Sequence, residues 1–213
     1  MVVLLLSGWS TSGKDTVASL LHEYYGFQRL AFADILKEMV ADEFQFPIEW
    51  AHSEAGKLKK PLLGAGKSVR DLLILRGQGI REERKDPGLF ARLIAEKIQQ
   101  SENTANFVIT DWRLPIELET LEKNFQPKSL LKIRIQRNGL FSSPVPDSFT
   151  ETQLDSYPFD FTLKNPGTTR TALFQQIQQT LIPDLETHLA VKLIPVQEIH
   201  MVQKECCNSG NLT

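Results

Sequence analysis

Residues 4–16 read LLLSGWSTSGKDT. The apolar run from Val2 to Leu6 is short, continuous and rich in Val and Leu, the pattern of a strand buried on both faces. Gly8 ends it. Val17, Leu20, Leu21 and Tyr24 then recur at helical spacing, with Gly26 placed as a C-cap. Between strand and helix, Gly8-Trp9-Ser10-Thr11-Ser12-Gly13-Lys14 has the G-x-x-x-x-G-K spacing of a phosphate-binding loop. The spacing serves a physical end. Glycines permit turns that aim several N–H groups inward, the helix N-terminus adds partial positive charge, and Lys14 adds a full one. A Ser or Thr ordinarily follows the lysine and reaches Mg²⁺. Here Asp15 holds that place and Thr16 comes next, and a carboxylate also holds Mg²⁺, directly or through water. The flanking strand and helix outweigh a chance occurrence of the spacing.

Outward from this loop the chain alternates strands and helices. Gln28–Phe32 reads as a second strand and Asp34–Phe44 as a helix, closed by Pro47. Residues 47–67 are polar, Lys-rich and glycine-punctuated, and read as a mobile loop. Ser68 with Asp71 three residues on predicts a capped helix start, continued by Leu72, Leu73 and Leu75. Asp86-Pro87 opens the next helix. NFVITD (106–111) and LLKIRI (130–135) are strands, Pro115 opens a helix to about Asn124, and FDFTLKN (159–165) alternates as a last strand. Leu173, Phe174, Ile177 and Leu181 mark a final helix. Such alternation predicts an α/β fold with a parallel sheet covered on both faces. Residues 188–213 read as a tail with one short strand at Ala190–Val196.

Composition narrows the function classes. With 213 residues, 41% hydrophobic and 23% charged, the chain is expected to bury a packed core. A formal net charge of -2 is a poor footprint for binding nucleic acid through its backbone. The opening apolar run is too short to span a bilayer and lacks the basic flank of a secretory signal. Cys206 and Cys207 are neighbours, so they cannot staple a fold, and a reducing, cytoplasmic setting is expected.

Asp111 ends the strand FVITD, where a nucleotide-binding sheet commonly presents an acid to the metal shell. With these features placed, the blocks SGWSTSGKDTVASLL, RLAFADILKEMV, SVRDLLILRGQGIRE, VITDWRLPIELE and FDFTLKN resemble, in order, those of phage-type deoxynucleoside monophosphate kinases, within the adenylate-kinase-like group of P-loop kinases. The likeness runs in blocks over about residues 1–181. It implies a P-loop NTPase fold: a three-layer α/β/α sandwich with a mainly parallel five-stranded sheet, a helical acceptor-binding insertion (about 33–100) and a short lid (about 137–156), all within residues 1–187. It further implies that Gly8, Gly13, Lys14 and the backbone from Ser10 through Thr11 and Ser12 to Thr16 hold the phosphates of ATP. Asp15, Thr16 and Asp111 would lie near Mg²⁺. Arg70 and Arg113 would clamp the acceptor's phosphate, Phe32–Lys37 would border the acceptor, and Arg137 would open the loop over the donor. Family members often carry basic residues where this loop has Trp9, Ser10, Thr11 and Ser12.

The chemistry so implied is ATP- and Mg²⁺-dependent phosphorylation of a (deoxy)nucleoside monophosphate. The acceptor is already an anion, so positioning and charge neutralisation matter more than a base, and planar Arg suits phosphate. Water has to be excluded, and the loop 138–156 reads as the lid, its Asp147, Glu151 and Asp155 either pairing with Arg or, the favoured reading, keeping it soluble. Trp112 reads either as a flank for a base or as packing. Two rivals stand. Animal-type phosphomevalonate kinase is similar at the phosphate loop and at Thr-Asp-x-Arg, so a different phosphorylated acceptor fits the same blocks. A nucleotide-binding module without turnover also fits, though no N-K-x-D guanine motif occurs. The expected partners are small-molecule nucleotides, with no nucleic acid and no membrane, and a homodimer is favoured on general frequency.

Overall fold

The computed structural model describes residues 1–101, 105–140 and 152–196. In chain order the elements are β1 (Val3–Ser7), α1 (Lys14–Tyr25), β2 (Gln28–Leu30), α2 (Phe32–Glu43), α3 (Ile48–His52), α4 (Glu54–Lys57), α5 (Val69–Glu83), α6 (Leu89–Gln99), β3 (Phe107–Ile109), α7 (Pro115–Glu122), β4 (Leu130–Arg137), β5 (Phe161–Asn165), α8 (Arg170–Gln176) and α9 (Ile182–Leu189). A π-helical turn, Ile177–Leu181, joins α8 to α9 just before Pro183, whose ring and missing N–H disfavour regular α-helical bonding there. The chain divides into two compact units, residues 1–30 with 101–114 and 125–213, and residues 31–100 with 115–124.

The first unit holds a five-stranded sheet in the order β2-β3-β1-β4-β5, with every pairing parallel. β1 is central and all five of its residues are buried, as its unbroken apolar run requires. Leu4 and Leu6 face a core made with Val17, Leu21, Ile133, Leu163 and Ile177. Each such side chain taken from water contributes about 1.5–3 kcal/mol. α1 ends where expected: Gly26 adopts φ 70° and returns its N–H to His22 and Leu21. Parallel strands alternating with helices make this the expected α/β architecture, with the loop 8–13 following the central strand at its carboxyl end.

The second unit is helical. Its core gathers Val40, Ala41, Phe46, Ala51, Val69 and Leu72. The start of α5 is as predicted: Ser68 and Asp71 form a complete capping box.

Two expectations need correction. Residues 47–67 are not a plain loop but fold into α3, α4 and a 3-10 turn at Leu62–Gly64. Ser53 caps α4 by accepting from Gly56 N at 3.1 Å. Gly56 is a packing glycine, since a Cβ there would meet the backbone of Trp50 at 2.5 Å. Nor is there a strand at 190–196. Ala190 turns the chain out of α9 with φ 52°, and Leu193 N donates to Glu186 Oε1 at 2.8 Å, pinning the segment locally. Cys206, Cys207 and the middle of the expected lid, 141–151, lie outside the described residues. No helix among the described residues is long and apolar enough to cross a membrane.

Candidate functional site

The loop after β1 is shaped by three residues with positive φ: Gly8 (151°), Thr11 (63°) and Gly13 (102°). At Gly8 a Cβ would meet the Ile135 carbonyl oxygen at 2.6 Å, so glycine is needed for space as well as conformation. Ser12 N donates to Trp9 O at 3.1 Å, closing the turn through Ser10 and Thr11. Val17 N donates to Gly13 O at 2.9 Å and starts the helix. Gly13 is the N-cap and has no side chain to bond the first N–H groups of α1, which leaves that helix end without a side-chain cap. Lys14 is buried at 8% exposure and folds back on the loop, donating from Nζ to Gly8 O at 2.6 Å and Trp9 O at 2.9 Å. The Ser12 hydroxyl is buried and has no hydrogen-bond partner among the described residues.

The neighbouring strands brace this loop. Arg137, at the end of β4, donates from Nη1 to Thr11 O at 2.9 Å. Asn165, at the end of β5, donates to Ser12 O at 2.8 Å. Arg134 Nη1 donates to Ser7 Oγ at 3.3 Å, and its Nη2 donates to Asp155 Oδ1. The same carboxylate oxygen accepts from Trp9 Nε1 at 2.9 Å. Asp155 is therefore an ion-pair partner rather than a solubilising acid of the loop. Beside these groups lies a cavity of about 710 Å³ whose lining includes Trp9, Ser12, Arg134, Arg137, Phe159 and Lys164.

Of the residues expected near Mg²⁺, Asp15 sits in the first turn of α1, largely exposed, with Oδ1 3.4 Å from Arg29 Nη2. Thr16 is next in that turn, half-buried, and Asp111 and Arg113 are half-buried just after β3, the strand paired with β1. Trp112 between them is a packing residue. It is buried, donates from Nε1 to Leu114 O at 3.0 Å, and meets Tyr157 and Phe159 edge-on at 5.3 and 5.6 Å. No cluster of three or more His, Cys, Asp or Glu exists among the described residues. Mg²⁺ needs no such cage, because it takes one or two protein oxygens and completes its shell with phosphate and water. Asp15, Thr16 and Asp111 each carry hard oxygens of that kind, the Asp15 carboxylate lying beside the Arg29 guanidinium.

Arg70 belongs to the second unit. It pairs with Glu54, which also accepts from Lys57 Nζ at 2.8 Å. The Lys57 hydrogen bond and charge, with the Arg70 charge beside them, hold Glu54 below its ordinary carboxyl value. Lys37 Nζ donates to Asp34 Oδ1 at 2.6 Å nearby in sequence. A second cavity, of about 450 Å³, is lined by Lys37, Glu54, Lys57 and Arg70 with the aliphatic Ala33, Leu36, Leu73 and Ile74.

No protein-family model matches the chain, and no curated protein does. Among solved structures, the chain is similar to TT1252 from Thermus thermophilus at 15% identity and a TM-score of 0.48, over 86% of this chain and 97% of that one. It is similar to an unliganded sugar kinase from Janibacter sp. at 14% identity and a TM-score of 0.43, over 85% and 94%. Likenesses this distant leave function to be argued from the site itself.

Sequence reasoning overlooked Arg134 and Asn165, and it favoured a solubilising role for Asp155 over the pairing with Arg that the structure shows. Asn165 had a visible signal, an amide at the carboxyl end of the last alternating strand. Arg134 interrupts LLKIRI on the polar beat of its alternation, and a surface position is the simpler reading of that pattern.

Proposed function

We propose that the protein transfers the γ-phosphate of ATP, with Mg²⁺, to a (deoxy)nucleoside monophosphate. The observation that carries the donor half is what one loop gathers: a helix N-terminus without a side-chain cap, a buried Ser12 hydroxyl with no partner among the described residues, and the Lys14 ammonium seated on the loop's own carbonyls. Each favours a bound polyphosphate, and the loop's curvature presents them after the central parallel strand. On binding, Lys14 would exchange the Gly8 and Trp9 carbonyls for phosphate oxygens. Asp15, Thr16 and Asp111 are the residues that would hold Mg²⁺, which would supply charge neutralisation between the phosphates. The resemblance gives Arg113 and Arg70 the role of orienting the acceptor's phosphate, and the remaining catalysis would be alignment. The choice of a nucleotide acceptor rests on the resemblance of SGKDT, VRDLL and VITDWR to the deoxynucleoside monophosphate kinases.

One observation favours a second reading, a kinase of another small phosphorylated molecule. The 450 Å³ cavity bearing Arg70 is lined by three cations, the Glu54 carboxylate and aliphatic side chains, with no amide or aromatic group to read a base. An ADP-release assay across the common ribo- and deoxyribonucleoside monophosphates, with mevalonate phosphate alongside, separates the two. Turnover of a nucleotide supports the first reading. Turnover of mevalonate phosphate alone transfers the assignment to the second. ATP binding without turnover on any acceptor leaves only a binding module.

A further inference from the structure

We propose that Asp155 is a positioning residue for the phosphate loop, acting through Trp9 and Arg134. The inference rests on the reading of that loop as the ATP site. Asp155 is itself held firmly: its N–H donates to Thr152 O at 3.1 Å, and its neighbour Leu154 is 2% exposed. Its Oδ1 receives both the Trp9 indole N–H and the Arg134 guanidinium. Arg134 lies opposite Ser7 in the β1–β4 register and bonds the Ser7 hydroxyl. Its guanidinium, 9% exposed as a side chain, sits 5.6 Å from the ring centres of both Trp9 and Phe159.

The consequence is geometric. Ser7 and Trp9 flank Gly8, the residue with φ 151° that gives the loop root its freedom. The Asp155–Arg134 pair grips both flanks, so it spans the hinge and limits rotation there. Gly8 and Trp9 also supply the two carbonyls that seat the Lys14 ammonium. Fixing these two residues fixes where the lysine starts and how the loop N–H groups point. A guanidinium this buried needs its carboxylate, since an unpaired buried charge relaxes by moving.

The test is titration of ATP by calorimetry into the wild-type protein and into Asp155→Ala, Trp9→Phe, the double variant and Lys14→Ala, with the thermal midpoint of each recorded. Asp155→Ala is expected to weaken ATP binding about tenfold, the worth of about one net hydrogen bond. Trp9→Phe keeps an aromatic ring but loses the N–H together with the fused five-membered ring, and is expected to weaken binding less because the Asp155–Arg134 pair remains. The double variant should bind no more weakly than Asp155→Ala, because both changes break one contact. Unchanged affinity in the folded variants, even with a lowered midpoint, or fully additive losses overturn the proposal. Should Asp155→Ala not fold, wild-type affinity in Trp9→Phe overturns it. Failure of the wild-type protein to take up ATP, or indifference of uptake to Lys14→Ala, overturns the donor-site reading instead.

Discussion

Asn165 donates from Nδ2 to the carbonyl of Ser12 at 2.8 Å across 153 positions of sequence. Its Oδ1 accepts from Gly167 N at 2.9 Å, so the amide is held at both ends and its orientation is set. The last strand of the sheet thus fixes a peptide plane in the middle of the phosphate loop. The loop after the first strand and the end of the last strand meet where the donor phosphates are proposed to lie.

Asn165→Asp tests that brace. The shape is kept, but a carboxylate oxygen replaces the donor and faces the Ser12 carbonyl, acceptor against acceptor. We expect a loss of about 1–3 kcal/mol in unfolding free energy and at least tenfold weaker ATP binding. Urea unfolding and calorimetric titration read the two effects, and full retention of both would show the contact to be idle.

Gly13→Ala should be harsher. Gly13 adopts φ 102°, and a Cβ there would stand 2.4 Å from Asn165 Nδ2. The buried amide has little room to retreat, because its bonds to Ser12 and Gly167 hold it. The loop has to distort, with about 1–3 kcal/mol of strain and loss of measurable ATP binding. A thermal melt and the same titration are the readouts.

Arg70→Lys keeps a charge and removes the planar fork. The acceptor's KM should rise about tenfold while the donor's KM stays fixed, and Arg70→Ala should cost about 2–4 kcal/mol in kcat/KM for the acceptor. Steady-state kinetics with each substrate varied in turn decide this. A shift confined to the donor would place Arg70 outside the acceptor site.

Asp71 governs an acid-sensitive helix start. Its Oδ2 accepts from Ser68 Oγ at 2.6 Å and Ser68 N at 3.0 Å. These two hydrogen bonds, the hydroxyl's first, hold its carboxyl below the ordinary value. Because the folded group is the stronger acid, the cap's contribution is complete above the ordinary carboxyl pKa and fades as pH falls through the lowered one. Amide protection factors in the first turn of α5, taken against the intrinsic exchange rate at each pH, should therefore fall over that acidic window. In Asp71→Asn the protection should be lower already at neutral pH and lose that pH response. An identical acid response in the variant would show that other carboxyls control this end.

Much of the fold was legible because its signals are local. The run Val3–Ser7, the helical beat of Val17, Leu20 and Leu21, the Gly26 cap and the Ser68–Asp71 box each lie within a few residues of what they determine. Residues 47–67 misled because their glycines and lysines imitate a loop. Gly56 is there because Trp50 leaves no space for a side chain, which only the packed structure discloses. The phosphate loop was legible for the same local reason. Its braces were not, since Arg134, Asp155 and Asn165 act on residues more than a hundred positions away, except within the Arg134–Asp155 pair itself.

The strand order carries a consequence for biosynthesis. β1 leaves the ribosome before either of its flanking partners, which begin at Phe107 and Leu130. Until they emerge, the segment VLLLS has two open edges, the kind of nascent surface that recruits chaperones or other chains. The helical residues 31–100 are made in the interval and carry a separate core, so they can condense first. Sheet closure then becomes the late, slow event that long-range pairing imposes.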